Sequence, residues 1–135
     1  MNPLSAATWG VFLLRGKEAK IIPPKLWPLK DGEAVSMALQ VGPRLVIDGK
    51  VQKFKEGLPA RRSALGITSS GWIEIALSET PLLLKEWAAL LKNDCPQAIN
   101  LDGGGSSQLS IEQSNLSLNV EGLTNIPNVV GVFRK

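Results

Sequence analysis

The residues with the greatest capacity for chemistry lie in one stretch, Asn100-Leu101-Asp102-Gly103-Gly104-Gly105-Ser106-Ser107. A short apolar run ends there in a carboxylate, and three consecutive glycines allow the backbone to turn sharply and to present its N–H groups. Such a concavity suits an anion or a sugar hydroxyl lying close to the main chain. Asp102 is placed to act as a base, a nucleophile or a cation ligand. The alternative is a tight turn capped by an aspartate.

Two further segments carry polar groups at the ends of predicted strands. Arg61 and Arg62 precede an apolar run, and a guanidinium group binds phosphate or carboxylate in a bidentate manner. The alternative is an ordinary pair of surface arginines. Gln40 lies at the end of another apolar run, just before Gly42-Pro43, and by itself this pattern predicts only a turn.

The composition of the 135 residues excludes several other kinds of chemistry. The chain has no His, which excludes a Ser-His-Asp triad and a His-ligated metal. Its one cysteine, Cys95, can form neither an internal disulfide nor a multi-cysteine zinc site. No Gly-Lys-Ser/Thr follows the glycines, so they are not a P-loop. No cofactor is firmly implied, and the question of a divalent cation near Asp102 stays open.

Short elements joined by tight turns must position these groups. Apolar runs on either side of turn residues predict three hairpins, with loops at 15–18, 48–49 and 69–71. The spacing of leucines predicts a helix over about 81–92, with Thr80 as its N-cap and Pro81 in its first turn. Further short strands are expected at 98–101, 108–111, 116–120 and 129–133. This pattern predicts one α+β domain over residues 1–135, with a mixed, largely antiparallel sheet and the helix packed on it.

The net charge of +3 is unevenly distributed. Residues 1–62 contain 11 Lys or Arg against 5 acids, a balance of +6, and residues 63–135 contain 4 against 7, a balance of −3. A basic half favours an anionic partner such as phosphate or an acidic glycan, although scattered lysines are more often a solvated face. Nucleic acid is not the expected partner, because no aromatic residues interleave with these lysines to stack on bases.

Three segments occur in an order that resembles a known family. They are Gln40-Val41-Gly42-Pro43-Arg44-Leu45-Val46-Ile47-Asp48-Gly49, then Arg62-Ser63-Ala64-Leu65-Gly66-Ile67, then the stretch from Asn100 to Ser107. Together they are similar to the phosphodiester glycosidase domain family, and Ile126-Pro127-Asn128-Val129-Val130-Gly131-Val132 is similar to that family's closing strand. The resemblance covers roughly residues 34–135.

The resemblance implies hydrolysis of a sugar-1-phosphodiester at its sugar side, with release of a free sugar and a phosphate monoester. It implies that Asp102 is the catalytic carboxylate and that Arg62 holds the phosphate. The implied substrate-binding residues match the same motifs and are Gln40, Asn100, Gly103, Gly104, Gly105, Ser106 and Ser107. The alternative function is a non-catalytic module, derived from the same domain, that binds a glycan or an anion.

The family's early Asn-Gly-Gly-Phe-Phe type segment has no counterpart in this sequence. We therefore expect the chain to represent the C-terminal portion of the family domain or a shortened relative. Family relatives are usually exported, whereas residues 1–20 do not resemble a signal peptide, so the compartment stays open. No apolar run approaches the ~20 residues of a membrane span. Unprotected strand edges predict a homodimer, with exchanged N-terminal hairpins as one arrangement.

Overall fold

The computed structural model describes residues 8–32 and 34–134. These residues form mostly strands, all of them paired in antiparallel fashion, and one α-helix. In chain order the elements are β1 (Gly10–Arg15), β2 (Glu18–Ile22), β3 (Met37–Val41), β4 (Arg44–Ile47), β5 (Lys50–Val51), β6 (Ala60–Ile67), β7 (Ile73–Leu82), α1 (Leu84–Leu91), β8 (Gln97–Asn100), β9 (Leu109–Gln113) and β10 (Leu116–Val120). The predicted α+β class is confirmed, with strands dominating.

The strands form three sheets. The largest has five strands in the order β5-β4-β8-β6-β7, a second has three in the order β2-β1-β3, and β9 and β10 form a separate hairpin. The strand order of the large sheet places β8 between β4 and β6, so the loop that follows β8 emerges from the centre of the sheet. None of the helices in the described residues is long and apolar enough to cross a membrane.

Two apolar clusters lie on opposite faces of the five-stranded sheet. The first packs the sheet against α1 and contains Leu45, Val46, Ala64, Trp87, Ala88, Leu91, Cys95 and Ala98. The second packs it against the three-stranded sheet and contains Phe12, Leu65, Ile67 and Ile99. Alternate residues of a strand point to opposite faces, so neighbours on β6 and β8 contribute to different clusters. The large sheet is therefore the middle layer of three.

The three predicted hairpins are confirmed, since β1 pairs with β2, β4 with β5 and β6 with β7. Arg15 pairs with Glu18 across the first turn. Asp48 and Gly49 both have a positive φ, of 48° and 73°, as a two-residue hairpin turn demands. Gly71 closes the third turn with a φ of 87°.

The predicted start of the helix is wrong by one turn. Thr80 and Pro81 belong to β7, and α1 begins at Leu84. The carboxylate of Glu86 accepts a hydrogen bond of 2.8 Å from the main-chain N–H of Leu83, so the side chain that satisfies the helix start lies inside the first turn. Pro81 is tolerated because β7 is an edge strand, where its missing N–H costs no ladder bond.

The strand predicted at 129–133 does not form. These residues have no regular secondary structure, and Val129, Val132 and Phe133 are exposed. Apolar residues alone do not make a strand, because its N–H and C=O groups must also find a partner strand.

Candidate active site

The pairing of β6 with β8 brings two of the predicted site residues to one end of the sheet, where β6 begins and β8 ends. Ala64 pairs with Asn100, and Arg62 lies two residues before Ala64 on the same strand. Because side chains two residues apart share a face, Arg62 and Asn100 point to the same side of the sheet as α1. β6 begins where its antiparallel neighbour β8 ends, so the arginine and the glycine-rich loop occupy the same end of the sheet.

Asn100 is a buried polar residue with an incomplete hydrogen-bond set. The residue is 7% exposed, and its amide nitrogen donates a bond of 2.7 Å to the carbonyl oxygen of Leu101. The side-chain oxygen Oδ1 is buried without a partner among the described residues. An unsatisfied buried acceptor is costly, and its presence at a strand end next to a glycine-rich loop is typical of a site that receives a donor from a ligand or from water.

Arg62 is held in place by main-chain carbonyls. Its Nε donates to the oxygen of Leu82 at 2.9 Å, and one of its terminal nitrogens donates to the oxygen of Leu58 at 3.2 Å. Partial burial lowers the pKa of Arg62 from its ordinary value, although an arginine with a lowered pKa stays charged near neutral pH. A guanidinium has five N–H donors, so these two bonds fix the plane of the group and leave donors for an anion.

Each of the three glycines in the loop is constrained by a close contact or by its backbone conformation. A Cβ at Gly103 would lie 3.0 Å from the carbonyl oxygen of Arg61. Gly104 has a φ of +60°, which side chains disfavour. A Cβ at Gly105 would lie 3.1 Å from the methyl group of Thr124. The local geometry therefore favours glycine at all three positions, whether or not a ligand approaches the turn.

The loop itself is a single 3-10 turn over Gly104–Ser106. The N–H of Gly103 donates to the Asp102 carboxylate at 3.0 Å, and the N–H groups of Ser106 and Ser107 donate to glycine carbonyls in the turn. These bonds leave the N–H groups of Gly104 and Gly105 outside the hydrogen bonds that hold the turn. The structure thus offers fewer N–H donors to an anion than an open glycine loop does.

Asp102 and Ser107 differ sharply in exposure. Asp102 is exposed, and one of its oxygens is occupied by the Gly103 N–H. Ser107 is 0% exposed, and its hydroxyl has no partner among the described residues. Among the ion pairs of the described residues, none joins Asp102 to Arg62. The described residues also contain no group of three or more His, Cys, Asp or Glu placed to hold a metal ion.

Gln40 is not brought to the loop in the way the motif order predicts. It lies on β3 in the three-stranded sheet, where Met37, Leu39 and Val41 pack inward, so Gln40 points to the outer face. None of the hydrogen bonds in the described ranges joins Gln40 to the loop after β8. The connection is indirect, since the Pro43 carbonyl that follows β3 accepts the N–H of Asn100 at 2.9 Å. The role of Gln40 in substrate binding stays a prediction.

Arg61 is a second basic residue at this end of the sheet, and it lies on the opposite face from Arg62. One of its terminal nitrogens donates to the carbonyl oxygen of Glu121 at 3.0 Å. Arg61 also lines an open cleft of about 310 Å³, together with Glu79, Asn119, Val120 and Glu121. This contact ties the segment after β10 to the start of β6.

The same segment covers the glycine turn. The N–H groups of Leu123 and Thr124 both donate to the carbonyl oxygen of Gly105, at 2.8 and 3.2 Å. A Cβ at Gly122 would lie 2.6 Å from the side-chain nitrogen of Gln108. Residues 121–124 were not among the predicted site residues, and the signal that could have found them is the glycine at 122, which permits this close approach.

Comparison with known proteins decides the family. The model of the phosphodiester glycosidase family matches residues 4–133, which is nearly the whole chain. The chain belongs to the phosphodiester glycosidase family. This confirms the resemblance on which the predicted site rests.

A solved structure agrees with the family at the level of the fold. The catalytic domain of zebrafish N-acetylglucosamine-1-phosphodiester alpha-N-acetylglucosaminidase, auto-inhibited by its pro-peptide, is similar with a TM-score of 0.55 and 19% identity, over 73% of this chain and 41% of that one. A hypothetical protein from Synechocystis matches with a TM-score of 0.48 and 16% identity, over 87% of this chain and 32% of that one. The chain thus spans less than half the length of these relatives. No curated protein matches the sequence.

Proposed function

We propose that this chain hydrolyses a sugar-1-phosphodiester at its glycosidic bond, with Asp102 as the catalytic carboxylate and Arg62 as the group that holds the phosphate. Family membership supports a glycosidase-type function. The observation that carries the finer proposal is the pairing of Ala64 with Asn100, because it brings the arginine motif and the Asp-Gly-Gly-Gly motif to one end of the sheet. The zebrafish relative is named for N-acetylglucosamine-1-phosphodiester, which is therefore the first substrate to try.

The proposed reaction breaks the bond between the sugar C1 and the bridging oxygen. Water supplies the new oxygen on C1 and gives up a proton, and the phosphate monoester leaves with the bridging oxygen and the bonding electrons. A phosphate monoester has its second pKa near 6, so it leaves as an anion with little help from a proton donor. Ordinary glycosidases need a second carboxyl group for that proton. One carboxylate and one arginine are sufficient here in principle.

Each of the two residues has a separate task in this reaction. Positive charge develops at C1 in the transition state, and the Asp102 carboxylate stabilises it and receives the proton of the attacking water. The donors of Arg62 that are not used by Leu82 and Leu58 bind the phosphate oxygens and stabilise the negative charge of the leaving group. The acceptor of Asn100 that lacks a partner among the described residues is available to a sugar hydroxyl.

The test compares Asp102→Asn with Asp94→Asn, which removes an exposed carboxylate at the end of α1. The assay follows release of free N-acetylglucosamine from its methyl 1-phosphodiester. We expect Asp102→Asn to lower kcat by about 10²–10⁴-fold, the usual worth of a catalytic acid or base. Asp94→Asn should leave kcat unchanged. Arg62→Lys keeps the charge but loses the planar fork, and we expect it to raise KM as well as lower kcat.

Calorimetry with N-acetylglucosamine-1-phosphate separates the proposal from the alternative of a glycan- or anion-binding module. Binding without any turnover of the diester supports the module and contradicts the proposed hydrolysis. Full activity of Asp102→Asn contradicts the assignment of the catalytic carboxylate.

A further inference from the structure

The outer edge of β7 is long, apolar and unpaired in the part of the chain that the structure describes. β7 is the last strand of the five-stranded sheet, and no described strand lies beyond it. Trp72, just before the strand, is 75% exposed, and Ile73 and Ile75 are each 42% exposed. Exposed apolar edge strands recruit another strand, since their N–H and C=O groups point outward without partners.

The hydrogen bonds of the hairpin determine which groups of β7 point outward. The N–H of Thr68 donates to the carbonyl oxygen of Trp72, so this pair is a hydrogen-bonded one. Such pairs alternate along an antiparallel ladder with pairs that turn their main-chain groups away. Ile73, Ile75 and Leu77 therefore direct their N–H and C=O groups away from β6. The hydrogen bonds of β6 agree with this assignment. Ser63 lies opposite Leu77, and its carbonyl oxygen accepts a hydrogen bond from the N–H of Leu101, on the side of β6 away from β7.

The devices that normally protect a sheet edge are confined to one end of β7. The register with β6 shifts between Ala60 and Arg62, so a bulge occupies the region of Glu79, Thr80 and Pro81. Proline and a bulge both prevent strand addition there. Residues 73–78 contain neither proline nor lysine. The stretch without a bulge, proline or lysine is thus the six residues before the bulge, in which Glu74 is the one charged residue.

This stretch is complementary to a second copy of itself. In an antiparallel pair about a two-fold axis at Ile75, Ile75 faces Ile75 of the other copy and Ile73 faces Leu77, and these are the three positions with outward main-chain groups. Their side chains share one face and form a continuous apolar stripe across the axis. Glu74 faces Ala76 of the other copy, so no like charges meet.

We propose that two copies of this chain associate through β7, in antiparallel register about Ile75, to form one continuous ten-stranded sheet. A two-fold pairing of this kind uses the same edge on both copies and leaves neither free. The opposite edge of the sheet is β5, which is only two residues long, so the assembly closes at two copies. The helix face and the glycine turn lie away from the new contact, and the dimer does not depend on the proposed hydrolysis.

Sedimentation of the whole chain at about 10 to 100 micromolar tests the association, and opposite charges at the axis test its register. The wild-type chain should sediment at twice its mass of 14.5 kDa. Ile75→Lys and Ile75→Glu each place like charges directly opposite one another, and we expect each to raise Kd by at least about 100-fold. An equimolar mixture of the two variants should restore a dimer, because the introduced lysine of one copy then faces the introduced glutamate of the other across the axis.

Two controls complete this experiment. Leu118→Lys changes an equally exposed apolar residue on the separate β9–β10 hairpin and should leave the dimer intact. Circular dichroism must show that the Ile75 variants are folded, which their position on an exposed edge favours. A monomeric wild-type chain overturns the proposal. A dimer that survives Ile75→Lys, or a mixture that stays monomeric while both variants are folded, overturns the proposed register.

Discussion

Replacing Gly66 with alanine would place a methyl group against the one cysteine of the chain. Gly66 lies on the α1 side of β6, and a Cβ there would come within 2.4 Å of the Cys95 Sγ and 3.0 Å of its Cβ. Cys95 is 0% exposed and packs between α1 and the sheet. The glycine near the end of the Arg-Ser-Ala-Leu-Gly-Ile motif is thus required by packing.

The magnitude follows from the cost of overpacking a dense core. Inserting a methylene into a well-packed interior costs about 1–3 kcal/mol, and the contact at Gly66 is shorter than real Cβ contacts allow, so the upper part of that range applies. Alanine restricts the unfolded chain more than glycine does, which returns about 0.4–1 kcal/mol. We expect Gly66→Ala to lower the free energy of unfolding by about 2 kcal/mol.

Urea denaturation followed by tryptophan fluorescence measures this loss, since Trp87 is buried in the same cluster. The control is Gly57→Ala, because Gly57 is exposed with nothing near its Cβ, and it should change the free energy of unfolding by less than about 0.5 kcal/mol. Adding Cys95→Ala to Gly66→Ala removes the sulfur from the contact. The loss of unfolding free energy in the double variant should be smaller than the sum of the two single losses by about 1 kcal/mol. Strictly additive losses, or a harmless Gly66→Ala, would refute the packing argument.

Two further predictions concern the loop and the thiol. Gly104→Ala forces a side chain into a φ of +60° and should cost about 1–2 kcal/mol in urea denaturation, whereas Gly104→Asn should cost less. Burial, with the Glu74 carboxylate as the next cause, raises the pKa of Cys95 to about 11, above the ~8.5 of an unfolded thiol. The thiol therefore contributes stability that is complete below about pH 8.5 and is lost as the pH rises toward 11, so the difference in unfolding free energy between wild type and Cys95→Ala should shrink over that window. A difference that is constant with pH would contradict the assigned shift.

The local chemistry of turns explains why the hairpins were predictable. Asp48-Gly49 and the glycine at 71 require positive φ values that few other residues adopt, so their types alone locate the turns. The glycine-rich loop was predictable for the same reason, since Gly104 has to turn the chain just after β8.

The errors arose where tertiary pairing overrides a local pattern. Thr80-Pro81 is a typical helix start in sequence, but β7 extends through it because its last residue, Leu82, still pairs with Ala60 of β6. Residues 129–133 are apolar enough for a strand and find no partner strand among the described residues.

The placement of single side chains was the least predictable feature. Arg61 and Arg62 are equivalent in sequence, yet strand alternation sends them to opposite faces, where one holds the carbonyl of Glu121 and the other those of Leu82 and Leu58. Which of the two lies on the α1 side of the sheet with Asn100 depends on the pairing of β6 with β8, and these strands are distant in the sequence.

In the proposed reaction, water attacks the sugar carbon and leaves the phosphorus untouched. Hydrolysis of a sugar-1-phosphodiester in water enriched in oxygen-18 tests it directly, with mass spectrometry of both products. The proposed chemistry predicts one labelled oxygen in the free sugar and none in the phosphate monoester, and Asp102→Asn should form both products about 10²–10⁴-fold more slowly. The sugar must be analysed at once, because the oxygen of its free C1 hydroxyl exchanges slowly with the labelled water and would add label without catalysis. The phosphate oxygens do not exchange in this way. Label in the phosphate monoester would contradict the claim, since it would mean that the bond between phosphorus and oxygen is the one that breaks.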